Sequence, residues 1–171
     1  MNRAGRVLTH LLLMRHAKSS WTAGVESDHE RPLNARGREE ALAMAKALVE
    51  RGLAPDTIWA SSAVRTRETA HILMRAIPGA QTVVSVPAFY AAAPEAVLHE
   101  LAGADEPEGR LMLLGHNPGW QSLTGFFTGA MREMPTAAIC VLARRREDLS
   151  WHSSAAWELL EHLTPRSVGA R

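Results

Sequence analysis

Two unbroken apolar runs, Leu11-Leu12-Leu13-Met14 and Leu111-Met112-Leu113-Leu114, set the tightest limit on how this chain can fold. Each has strand length, each gives way abruptly to polar residues, and segments of helical period lie around them. Such alternation predicts an α/β fold, a three-layer α/β/α sandwich with a mostly parallel central sheet. The expected strands are Leu8–Arg15, Thr57–Ala60, Thr82–Val86, Leu111–Gly115, Ala137–Ala143 and Ala156–Leu160. The expected helices are Ala35–Arg51, Ala63–Ala76, Glu95–Ala102 and Pro118–Thr128. Asn34 is placed to cap the first helix and Gly52 to stop it, Ser62 to cap the second, and Asn117-Pro118 to open the fourth.

At 171 residues, nearly half of them apolar, the chain suits one domain over 1–171, with 1–7 and 165–171 as flexible ends. Lysine and arginine number 19 against 18 acids, a balance that argues against a nucleic-acid partner. Any cationic chemistry must therefore be local. The run Leu11–Met14 is too short for a signal core or a membrane span, so no membrane partner and a cytoplasmic location are expected. The lone Cys140 lies in Ala-Ile-Cys-Val-Leu, where it reads as a buried hydrophobe in a reducing compartment. Composition is silent on oligomeric state.

Both apolar runs finish in a histidine, the first as Arg15-His16 and the second as Gly115-His116. In a parallel sheet the two ends lie on one edge, and ligands of open α/β folds bind outside the carboxyl ends of strands. A third strand, Thr57–Ala60, runs into Ser61-Ser62-Ala63-Val64-Arg65. A capping box would place Glu or Gln where Arg65 stands, and a cation in a first helical turn opposes the helix dipole. Arg65 makes physical sense if it and the helix end hold an anion together. Two arginines and two histidines around one spot suit a dianionic phosphoryl group, because the guanidinium fork binds phosphate oxygens in pairs. A neutral imidazole can attack phosphorus without a separate base. There is no His-Glu-x-x-His and no paired-cysteine motif, so no metal and no cofactor is expected. His10, His29, His71, His99, His152 and His162 read as surface or helix-face residues.

Leu-Leu-Leu-Met-Arg15-His16-Ala17, Asp28-His29-Glu30-Arg31-Pro32-Leu33, Ser61–Thr69 and Gly115-His116-Asn117-Pro118 together resemble the histidine phosphatase superfamily, whose fold is phosphoglycerate mutase-like. Arg-Pro-Leu and Met134-Pro135-Thr136-Ala137-Ala138 resemble its SixA-type phosphohistidine phosphatase branch. The resemblance implies His16 as nucleophile, Arg15 and Arg65 as phosphate-binding arginines and His116 as the second pocket histidine. It implies Asn117 beside them as substrate-binding, and Asp28 as an acidic residue that handles protons or orients water.

Larger members of the superfamily carry a glutamate acid after the third strand, where this chain has Phe89-Tyr90-Ala91-Ala92-Ala93. Glu95 and Glu100 read as exposed helix positions. Without a strong acid the site suits phosphohistidine, whose imidazole leaves near a pKa of ~6.5, better than alkyl phosphates. The expected function is therefore removal of phosphate from phosphohistidine in proteins. Hydrolysis of a small phosphorylated metabolite by the same chemistry is the competing enzyme reading, and a non-catalytic phosphate-binding module is the alternative of another class.

Overall fold

The structure, a computed structural model, describes residues 7–79 and 82–170. Among them six strands form one sheet, β1 (Leu8–Arg15), β2 (Thr57–Ala60), β3 (Thr82–Ser85), β4 (Gly109–Gly115), β5 (Ile139–Arg144) and β6 (Trp157–Leu163), in the order β3-β2-β4-β1-β5-β6. The first four run parallel; β5 pairs antiparallel with β1 and β6 antiparallel with β5, so β6 again points the way of the first four. The helices are α1 (Ala35–Glu50), α2 (Val64–Ala76), α3 (Pro94–Ala102) and α4 (Gly119–Thr128).

Alternation along β1 explains the layering. Leu12 and Met14 join a core with Met44 and Leu48 of α1 and Leu73 of α2, whereas Leu11 and Leu13 join one with Val97 of α3 and Trp120 and Leu123 of α4. All are fully buried, and burying one such side chain contributes about 1.5–3 kcal/mol. An unbroken apolar run is thus what a strand covered by helices on both faces requires. At the end of β4, a Cβ on Gly115 would run into the Trp120 ring, so only glycine lets α4 pack this closely against the strand.

Three local expectations need correction. Ser62 does not cap α2: the helix starts one residue later, Ala63 takes the cap position, and Ser62 Oγ pairs with His29 Nε2 at 2.9 Å. Asn117 does not cap α4, whose cap position belongs to Pro118. The segment after Thr164 is a hydrogen-bonded turn with Pro165 buried and Val168 against the core, not a frayed end; residues 1–6 and 171 lie outside the described residues. Asn34 does cap α1, accepting from the Gly37 amide at 2.8 Å. No helix among the described residues is long and apolar enough to cross a membrane.

Candidate active site

Strand adjacency builds the site. Arg15 and Gly115 are register partners at the carboxyl ends of β1 and β4, and the amide of His16 donates to the Gly115 carbonyl at 3.0 Å. His16 and His116 follow as the next residue on each chain, with ring centroids 5.1 Å apart, close to the spacing of neighbouring strands. Ser61 follows β2 at the same level, its amide bonded to the Leu114 carbonyl. Three adjacent strand ends therefore deliver His16, His116 and Ser61 to one edge.

The hydrogen bonds assign both tautomers. His16 Nδ1 lies 2.7 Å from the Ala17 carbonyl, which can only accept, so Nδ1 carries the proton and Nε2 keeps its lone pair. Arg65 Nε donates to that Nε2 at 3.3 Å. Arg65 Nη2 meets His116 Nδ1 at 3.3 Å, and a guanidinium can only donate, so His116 carries its proton on Nε2, which faces Ser61 Oγ at 2.7 Å.

Arg65 is the junction of the site. It is buried, and besides the two imidazoles it donates through Nη1 to the Asp28 carbonyl at 2.7 Å and through Nη2 to Asp28 Oδ2 at 3.0 Å. Its helix is tied to the His16 turn by Thr69, whose hydroxyl donates to the Arg65 carbonyl and accepts from the Ala17 amide. Arg67, two residues on, is exposed and makes no such bond. Arg15 Nη1 donates to the Met134 carbonyl at 3.0 Å, while its Nε is buried with no hydrogen-bond partner among the described residues. An anionic oxygen would satisfy that donor. Asn117 Nδ2 donates to the same Met134 carbonyl at 2.9 Å, while its Oδ1 is buried with no hydrogen-bond partner among the described residues.

Asp28 is clamped from three sides, by Arg65, by Arg31 Nε at 2.8 Å and by the Tyr90 hydroxyl at 2.9 Å. Partial burial pushes its carboxyl upward, but the Tyr90 hydrogen bond, the Arg65 charge and the Arg31 hydrogen bond outweigh it and hold the group at about 2. Tyr90 also sets its ring edge-on to His116 at 5.6 Å and to His29 at 4.9 Å. His29 is thus part of the wall and not a plain surface residue. Sequence reasoning missed Tyr90, Arg31 and Ser61 as members of this network. Glu95 is exposed and Glu100 half-buried, both on α3. Among the described residues no group of three or more His, Cys, Asp or Glu side chains is placed to hold a metal ion.

Burial is the largest cause that lowers His16, to about 3; the bond to Ala17 opposes it, and the His116, Arg65 and Arg15 charges add to it. His116 is lowered to about 4, by burial first and then by Arg65. Both rings are neutral at pH 7. In the unfolded chain they titrate near ~6.5, so between that value and their folded values the unfolded state binds more protons and stability falls as pH falls. The unfolding free energy read from urea denaturation is therefore expected to drop between pH 7 and pH 4.5, by up to ~1.4 kcal/mol per pH unit for each ring. His16→Asn should make that slope shallower, while His10 and His162, also lowered by burial, contribute equally in both proteins. Equal slopes would mean that His16 is solvated and titrates normally.

The family model of the histidine phosphatase superfamily (branch 1) matches residues 11–89. An uncharacterized chloroplastic protein of Arabidopsis thaliana is 32% identical over 141 residues, 77% of this chain and 65% of that protein. An uncharacterized Mycobacterium tuberculosis protein is 35% identical over 116 residues, 64% of this chain and 66% of that protein. The chain thus spans just under two thirds of the length of these curated relatives. Among solved structures, the putative phosphohistidine phosphatase SixA from Agrobacterium tumefaciens superposes with a TM-score of 0.78 at 32% identity, covering 92% of this chain and 99% of that one. A protein histidine phosphatase SixA complexed with tungstate superposes with a TM-score of 0.77 at 17% identity, over 93% and 99% of the two chains, a likeness of fold. With the same fold, and with close to a third of its residues shared along nearly the full length of the Agrobacterium protein, the chain belongs to the histidine phosphatase superfamily, in its SixA-type branch.

Proposed function

We propose that this protein is a phosphatase that removes the phosphoryl group from phosphohistidine in proteins by way of a phosphohistidine at its own His16. The observation that carries the reading is the tautomer of His16: Nδ1–H is held on the Ala17 carbonyl, which leaves the Nε2 lone pair among Arg15, Arg65 and His116. In the first step that lone pair forms a bond to phosphorus while the P–N bond to the substrate imidazole breaks and its electrons return to the leaving ring. In the second, water attacks phosphorus and releases one proton to solvent, while the P–Nε2 bond breaks with its electron pair returning to Nε2, which gives hydrogen phosphate and free neutral His16. Arg15 and Arg65 stabilise the equatorial oxygens in both steps. Oxygens of the incoming phosphoryl group replace the two imidazoles as acceptors of Arg65.

The state of Asp28 supports phosphohistidine over phosphate esters. It is the carboxyl closest to the chemistry by hydrogen bonding, and at about 2 it is ionised at neutral pH and has no proton to give. A phosphoester needs that proton on its leaving alkoxide, whereas a protonated phosphoimidazole carries its own. A cytoplasmic setting is part of the proposal, in keeping with the free Cys140 thiol, which burial pushes up to about 11.

Relative rates test the reading. General acid help is worth about 10²–10⁴-fold, so a phosphohistidine peptide should exceed an alkyl phosphate in kcat/KM by a factor of that order. Equal rates would contradict it and point to a small phosphorylated metabolite as substrate. Asp28→Asn should lower kcat/KM about 10-fold on both kinds of substrate, the loss typical of one charged hydrogen bond, because it loosens Arg65. A loss confined to esters would instead mark Asp28 as their proton donor.

A further inference from the structure

Next to the phosphoryl pocket, the segment from Ser20 to Asp28 walls a second cavity of about 310 Å³, closed on one side by Arg31. That volume is at the lower limit of small-ligand sites, which run from about 300 to 1,000 Å³, and suits one or two side chains. Trp21 stands at it with 77% of its surface exposed, the most exposed large apolar side chain among the described residues, and Val25 is exposed on the same wall. Trp21, Ala23 and Val25 are all exposed and line the same cavity, so a partner that covers them takes a group of apolar side chains out of water and not a single scattered one.

The indole is nevertheless held. The Arg31 guanidinium lies 3.5 Å over its ring, and Arg31 is itself locked by bonds from Nη1 to Ser19 Oγ at 2.9 Å and from Nε to Asp28 Oδ1 at 2.8 Å. A rigid aromatic anchor loses little freedom on binding, the property of residues that dominate contact energies. The cavity also communicates with the chemistry: Asp28 lines it, Asp28 binds Arg65, and Arg65 binds His16 Nε2. A group seated in the cavity is two hydrogen bonds from the nucleophile.

Resting on the reading of the preceding subsection, we propose that Trp21, Ala23 and Val25, which line this cavity together with the polar Glu26, Ser27 and Asp28, dock an apolar residue flanking the phosphorylated histidine of the substrate polypeptide, with Trp21 as the stacking anchor. The phosphoryl group is then recognised by Arg15 and Arg65, and the chain that carries it by Trp21 and Val25.

Three probes test this: a short peptide with leucines flanking phosphohistidine, the same peptide with glycines there, and free phosphohistidine. Wild type should favour the leucine peptide over the glycine peptide by about 10-fold or more in kcat/KM, mainly through KM, the scale of a buried tryptophan contact. Trp21→Ala and Val25→Glu should each erase that ratio, and Trp21→Phe should restore much of it. Wild type without the preference, or a preference that survives Trp21→Ala, would overturn the docking site while free phosphohistidine is still hydrolysed. If wild type hydrolyses none of the three, the phosphohistidine reading itself fails and the docking proposal with it.

Discussion

Replacing His16 by alanine is expected to abolish phosphate release while leaving the fold intact. His16 follows the last residue of β1, and its ring belongs to neither apolar core. Among the described residues, the side-chain bonds it gives up are the one to the Ala17 carbonyl and the one from Arg65 Nε. Arg65 keeps Asp28 and His116, so the pocket stays assembled without its nucleophile. Catalysis by the remaining cations alone, acting on a water, would leave a small residual rate, as is common when a covalent nucleophile is removed. Far-ultraviolet circular dichroism and turnover measured on one preparation separate the two effects. A His16→Ala protein that keeps more than a few per cent of wild-type kcat would contradict the nucleophile assignment.

Arg65→Ala should come next in size, with kcat/KM reduced by about 10²–10³-fold, the loss expected for one donor to transition-state charge. Arg65→Lys should recover little of it. Arg65 serves four acceptors at once, His16 Nε2, His116 Nδ1 and both the carbonyl and carboxylate of Asp28, and it does so with a planar fork. An ammonium group offers a point charge without that geometry. Near-wild-type activity in Arg65→Lys would show that only charge matters at this position.

How much of this was legible in the sequence depended on whether the signal was local. β1, β2 and α1 were readable because apolar runs and helical periodicity are short-range patterns, and β1 begins and ends where expected, at Leu8 and Arg15. Arg65 was readable because a cation in a first helical turn works against the helix dipole and needs another reason to be there. The same logic of strand ends that singled out His16 and His116 extends to Ser61, which follows β2 on the same edge. Ser62 drew attention instead, as a cap, and one residue of helix register made the difference.

Asp28, Arg31 and Tyr90 lay beyond such patterns. Asp28 meets Tyr90 across 62 residues of chain and Arg65 across 37, through loops with no periodicity to read. Its role as an ionised clamp on Arg65 follows from having three donors around it, which only the fold brings together. Asn117 stands out only through its place in a motif, and the sequence gives no sign that its Nδ2 shares the Met134 carbonyl with Arg15.

The central claim is that phosphorus becomes bonded to Nε2 of His16, and trapping that species tests it most directly. Brief incubation with phosphohistidine substrate labelled at phosphorus, followed by quenching in alkali, should give a labelled protein whose phosphate is stable to base and lost in acid. Peptide mapping should place the label on His16, at the ring nitrogen distal to the backbone, since Nδ1 is occupied by its bond to the Ala17 carbonyl. A label that survives acid, or that forms equally in His16→Ala, would contradict the account.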